Sequence, residues 1–252
     1  MIIVLDLAHQ DTAIIGFSSY GQTGNFDKKS AMHKISDPSI LYFGTPVVLV
    51  GTTNADTTYN LAPISSAFWL GWRAMIGISA FSKTTENLLR TGECTLNLPS
   101  VDEVDAVNRL ALITGSDPVP EGKRQKGYRF EPDKFGVSGL TPVAASLVRA
   151  PLAGQCPVQL EAVLMGTHPI ADENPTQRGS ILSLELKVVR VHLDEAILMD
   201  GCPNRVDPDK WRPLIMSFQQ FYGLGKQVHA SMLAEIPERL YRTADIEAAV
   251  SE

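Results

Sequence analysis

Apolar residues in this chain fall in short β-branched runs separated by Gly, Pro, Asn and Asp. Pro46-Val-Val-Leu-Val-Gly-Thr-Thr53 is apolar at successive positions and is followed by the turn-like Asn54-Ala-Asp56. That pattern predicts a strand buried on both faces. Thr57–Leu61 is expected as its hairpin partner, and Ala74–Ala80 as the next strand, with Gly77 marking a bend or a close backbone approach. Lys83–Arg90 reads as a short helix stopped by Gly92. Cys94–Leu98 reads as a strand ended by Pro99. Asp102–Thr114 places Val104, Val107 and Ala111 on one helical face, with Asp102 and Glu103 in the dipole-favoured first turn.

Farther on, Val158–Leu164 and Ile181–Val191 read as strands joined by a polar connection over His168–Gly179. In the second, Leu182, Leu184, Leu186 and Val188 share one face. Asp207–Pro213 leads into Leu214–Phe218, and one more helical stretch follows from about Ile236. Residues 115–138 are polar and rich in Gly, Pro and Lys, which predicts a long excursion of the kind that covers a site. No βαβ rhythm and no internal repeat appear, so the expected architecture is mainly β: an antiparallel, closed or partly closed barrel with peripheral helices. The organisation expected is an N-terminal arm over 1–31, a barrel domain over 32–252 and a C-terminal tail from about 226. Met32 is a possible alternative start, and Met1–Gln10 a possible strand.

Composition narrows the function classes. The 252 residues are 44% hydrophobic and 20% charged, with a net charge of −6. No basic block suits nucleic acid, and no run of roughly 18 apolar residues suits a membrane span. The three cysteines form no C-x-x-C pair and the five histidines no H-x-x-x-H pair, so no metal site is expected. Free thiols point to a reducing, cytoplasmic location.

Two segments carry candidate chemistry. In Asn60-Leu-Ala-Pro-Ile-Ser-Ser-Ala-Phe68, Pro63 removes a backbone donor and restricts Ala62, so the strand is expected to leave regular pairing there. The amides of Ile64 and Ser65 and the hydroxyls of Ser65 and Ser66 then need partners. A strand-end turn with serine caps supplies them, and so does the edge of a heteroaromatic ring. In Ser82-Lys-Thr-Thr-Glu-Asn87, a helix N-terminus brings together free amides, hydroxyls and the Lys83 ammonium. That set is an anion site or simply a capped helix with a solvated lysine.

Together with Thr45-Pro-Val-Val-Leu-Val50 and the run Ser82-Lys-Thr-Thr-Glu-Asn-Leu-Leu-Arg-Thr-Gly-Glu-Cys-Thr-Leu-Asn-Leu-Pro-Ser100, these segments resemble the flavin reductase-like, FMN-binding split-barrel family, more loosely over about 32–225. Flavoredoxin and the reductase components of two-component monooxygenases belong to that group. The resemblance implies an antiparallel FMN-binding split β-barrel and a homodimer with FMN near the interface. It places Ala62, Pro63, Ile64, Ser65 and Ser66 along the isoalloxazine, and Ser82, Lys83, Thr84 and Asn87 at the phosphate and ribityl chain. Tyr222, in Phe221-Tyr-Gly-Leu-Gly225, is placed near the flavin, and Asn97 matches the family's Asn-Leu-Pro signature, with a purely structural role left open. The implied activity is an NAD(P)H-dependent flavin reductase, using NADH or NADPH and free of a Rossmann fingerprint. The alternatives are a flavoredoxin-like electron carrier served by a donor protein, or a flavin enzyme for one organic substrate in a pocket lined by Trp69 and Trp72, residues for which core or dimer packing is the other reading. A monooxygenase partner is a further implication. The basic residues Lys123, Arg124, Lys126 and Arg129 are expected on a lid, where they either meet an anionic substrate or, the preferred reading, are merely solvated.

Overall fold

The structure, a computed structural model, describes residues 33–251. The expected arm over 1–31, the strand at Met1–Gln10 and the start at Met32 lie outside the described residues. A compact unit begins at Ile40.

Seven strands form the main sheet: β1 (Val48–Thr53), β2 (Tyr59–Ile64), β3 (Ala67–Leu70), β4 (Arg73–Ser79), β5 (Glu93–Leu98), β6 (Val158–Ile170) and β7 (Ile181–Leu193). Their spatial order is β2-β1-β5-β6-β7-β4-β3, every pair antiparallel. The two edge strands, β2 and β3, are joined only by Ser65–Ser66. A flat sheet of this order would hold its edges roughly 29 Å apart, whereas the steps from Ile64 to Ala67 reach at most roughly 11 Å. The sheet is therefore rolled, and the extended run Tyr59–Leu70 brings its edges together. The Gly77 amide donates to the Ser66 carbonyl at 2.7 Å, and a Cβ on Gly77 would stand 3.2 Å from that of Ser66. The close approach expected at Gly77 is thus real.

β1 alternates between two cores, as a strand buried on both faces must. Val48 and Val50 join Ile76, Leu96, Leu184, Leu186 and Val188. Val47 and Leu49 pack with Leu61, Val107, Leu110 and Phe135 under helix α2 (Val104–Leu110). Helix α1 (Lys83–Thr91) is set as its sequence demands. The Ser82 hydroxyl accepts from Thr85 N, and Gly92 closes the helix in the left-handed region at φ 73°.

Several expectations are corrected. Pairing does not stop at Pro63: Leu49 faces Pro63 and Val48 faces Ile64. β2 is an edge strand, where a proline nitrogen can face away from the partner. The helix read over Asp102–Thr114 ends at Leu110, and Ile113–Thr114 pairs with Arg129–Phe130 instead. Leu110 and Ile113 are both buried in the second core, so an extended end satisfies the same apolar spacing. β6 continues to Ile170, past the expected end at Leu164. Bulges after Glu161 and Leu164 break the alternation that marks its length. The 115–138 excursion holds two short helices, α3 (Glu121–Arg124) and α4 (Lys134–Ser138), and α4 carries the core residue Phe135. Near the end of the chain, helix α5 (Ala244–Ser251) is tied to β4 by an Arg73–Asp245 ion pair.

Candidate functional site

The junction of β2 and β3, the end of β4, the N-terminus of α1 and the start of the 115–138 excursion enclose a cleft of about 350 Å³. Ala62, Pro63, Ile64, Ser65, Ser66, Ser82, Lys83 and Thr84 all line it. Rolling the sheet is what joins the two sequence segments here. Gly77–Ser79 forms the floor between them, because β4 pairs with β3 and leads directly to Ser82.

Each wall offers a different chemistry. Among the described residues β2 pairs only with β1, which leaves backbone groups on its outer side to a ligand. At α1 the first-turn amides have no intrahelical acceptor. Ser82 covers only the Thr85 amide, at 3.1 Å. The Tyr42 hydroxyl stands 3.2 Å from Ser66 Oγ at the rim. Three lysines line the cleft, Lys83, Lys123 and Lys134, with no aspartate or glutamate among the described lining residues.

These lysines differ in state. Lys83 Nζ is neutralised by Glu86, at 2.9 and 2.8 Å from its two carboxylate oxygens. Lys123 donates to Thr114 Oγ1 at 3.1 Å and lies 5.7 Å from the Tyr128 ring centroid; burial lowers its pKa. It is therefore a lining residue, not the solvated one expected. Lys134 is only 4% exposed and donates to Asn60 Oδ1 at 2.9 Å. Burial, with a smaller contribution from Lys123, brings its pKa down to about 7. The Asn60 amide donates in turn to Thr52 Oγ1 and Thr84 Oγ1, both at 3.1 Å. The cleft thus rests on a buried polar network in which the Asn60 side chain is fully engaged.

Two expected site residues are not brought to the cleft. Asn87 is buried below it and donates to Thr52 Oγ1 at 3.0 Å and Asn54 Oδ1 at 2.8 Å, so its amide holds the β1–β2 turn against α1. Tyr222 lies on the short strand Gln220–Tyr222, 56% exposed and away from the lining. Trp69 and Trp72 are partly buried, pack against the barrel core and are not among the residues that line this cleft. Asn97 is structural: it donates to the Leu49 carbonyl and accepts from Ala153 N. Sequence reasoning missed Tyr42, Lys134 and the role of Asn60. A helix as short as α4 has too few turns to show periodicity, and Asp133 before it, which accepts from Gly136 N, is the one local sign of its start.

Among the described residues no cluster of His, Cys, Asp and Glu suits a metal, and no helix is long and apolar enough to cross a membrane.

Comparison with known proteins bears on the same region. Residues 40–225 match the model of the flavin reductase like domain. The uncharacterized protein YdfE of Bacillus subtilis (strain 168) is 33% identical over 198 residues, covering 79% of this chain and 92% of that one. Among solved structures, the flavoredoxin of Desulfovibrio vulgaris (Miyazaki F) superposes with a TM-score of 0.64 at 23% identity, covering 81% of this chain and all of that one. Nitrilotriacetate monooxygenase component B from Bacillus cereus does so with 0.59 at 19% identity, covering 76% and 89%. At these identities the structural likenesses are likenesses of fold. The matched domain contains the rolled sheet, α1 and every wall of the cleft, and on that match the chain belongs to the flavin reductase-like family.

Proposed function

We propose that the cleft binds FMN and that the protein is an NAD(P)H-dependent flavin reductase. One observation carries the reading: a free strand edge, a helix N-terminus and three lysines converge on one cleft whose described lining holds no acid. A planar ring with acceptors along its edge suits the first, and a phosphate suits the other two.

In this reading Ala62–Ser66 holds the ring edge through outward backbone groups, with Pro63 fixing the local φ and removing one donor. Ser82, Lys83 and Thr84 hold the phosphate end, where the α1 dipole adds to the amides. Asn60 and Asn87 support that wall from below. When bound, FMN supplies the hydride chemistry. The protein's part is to orient the ring, to keep water from its buried side and to leave the Tyr42 rim open to a second substrate.

The test is anaerobic mixing of the flavin-loaded protein with NADH or NADPH. Bound flavin is expected to bleach in well under a minute, with saturation in the range of roughly 10 μM to 1 mM usual for enzymes. Oxidised flavin after an hour with both nicotinamides would reject the reductase reading. The same preparation, sedimented, is expected to show twice the 27.4 kDa of one chain, since the reading includes a homodimer. A single-chain mass with flavin bound would remove the dimer from it.

A further inference from the structure

We propose that Lys134, buried beside Asn60 at the base of the cleft, is the principal phosphate-binding cation of this site, and that Lys83 is secondary to it. The inference rests on the FMN reading.

An ammonium has three N–H donors, and among the described residues Lys134 Nζ donates only to the neutral Asn60 Oδ1, at 2.9 Å. Among the described residues it forms no ion pair, although it is 4% exposed. An unpaired buried charge is costly unless something supplies the counter-charge. Lys83 is in the opposite condition, partly exposed and already paired with Glu86. The two lysines belong to one end of the cleft. A Cβ on Gly115 would lie 2.8 Å from Asn60 Oδ1, the acceptor of Lys134, and 3.1 Å from Lys83 Cγ, so the absence of a side chain at 115 keeps space between Asn60 and Lys83. The orientation of Asn60 is fixed, since its amide nitrogen is held by Thr52 and Thr84. Its carbonyl oxygen therefore faces Lys134 and steadies the ammonium beneath the first turn of α1.

The surrounding charges leave the role open to a ligand. Lys123, on α3, opposes the Lys134 charge, and Glu131 favours it without pairing. Asp133, the N-cap of α4, accepts from the Gly136 amide. Arg109, on the adjoining α2, is turned to the carbonyls of Val137 and Ser138. On α1, Glu86 is taken by Lys83. A phosphate dianion in the cleft would be the missing partner. Its arrival would favour the charged form of a lysine whose pKa in the empty site is about 7.

The experiment compares FMN with riboflavin, which has the ring and lacks the phosphate. The full-length chain, freed of flavin, is titrated with each ligand as wild type, Lys134→Met and Lys83→Ala. Lys134→Met is expected to lower FMN affinity relative to riboflavin by roughly ten- to a hundredfold, and Lys83→Ala by less. Retained riboflavin binding shows that the ring site is intact. A second measurement needs no variant. Above pH 7 the phosphate is already a dianion, so the FMN-to-riboflavin ratio of the wild type should fall as Lys134 loses its proton, by up to about tenfold per pH unit. If Lys134→Met loses riboflavin as well, this pH series decides. An unchanged ratio in Lys134→Met with both ligands bound, a larger loss in Lys83→Ala, or a ratio constant from pH 7 to 9 would overturn the inference. A wild type that binds neither flavin would overturn the FMN reading and the inference together.

Discussion

Replacing Glu161 by alanine is expected to lower the melting temperature by about 10 °C. Glu161 is fully buried on β6, and its carboxylate accepts from the amides of Ser146, Leu147 and Val148 at 2.9, 2.6 and 3.0 Å, and from His192 Nε2 at 2.7 Å. It anchors the 146–148 loop to the barrel wall. Truncation takes a shared charged acceptor away from three amides and His192 and leaves a void where the carboxylate was buried, a loss of about 3–5 kcal/mol, and a chain of this size shifts by roughly 2–4 °C per kcal/mol. A thermal melt followed by circular dichroism is the check, and a fall of under 2 °C would contradict the anchoring role.

Glu161 also gives a pH signature. Burial pushes its pKa up, but the hydrogen bonds from His192 and the three amides outweigh that and hold it below the ordinary 4.5. A carboxylate with a depressed folded-state pKa stabilises fully above the ordinary range and loses that contribution as pH falls through the folded value. Wild type should lose stability in acid more steeply than Glu161→Gln.

The second large effect has the opposite sign. Lys134→Met is expected to stabilise the flavin-free protein at pH 7. With the Lys134 pKa brought from 10.5 to about 7, the unfolded chain binds the proton more tightly than the folded one. The resulting penalty is complete below pH 7 and is relieved as pH rises toward 10.5. At pH 7 it is on the order of 4 kcal/mol. Methionine removes it and leaves Asn60 Oδ1 without its donor, which costs about 1–3 kcal/mol. The net gain of about 1–3 kcal/mol should raise the melting temperature by about 2–10 °C and shrink at pH 10. A variant less stable than wild type at pH 7 would show that Lys134 is not held there against its own desolvation. A group that destabilises the empty protein and favours an anionic ligand is the expected cost of a preformed site.

Much of this was legible in the sequence because local physics and tertiary structure agree there. Ser82 and Gly92 bound α1 at both ends, and the β-branched run after Pro46 is buried on both faces. The two cleft-forming segments were recognisable as a pair, and eight of their residues do line one cavity. What was hidden depends on sequence separation. Lys134 reaches Asn60 across 74 residues, and no local pattern records that. Asn87 has the right spacing for an N-terminal anion site, yet its side chain points to Thr52 and Asn54, a direction set by packing. The bulges of β6 erased the alternation that would have given its length.

The central claim is tested most directly by loading the purified chain with flavin and identifying what stays bound. The account predicts a yellow protein with one flavin per chain, identified by chromatography of the denatured supernatant as FMN. FAD alone, or no flavin after attempted FMN loading, would contradict it.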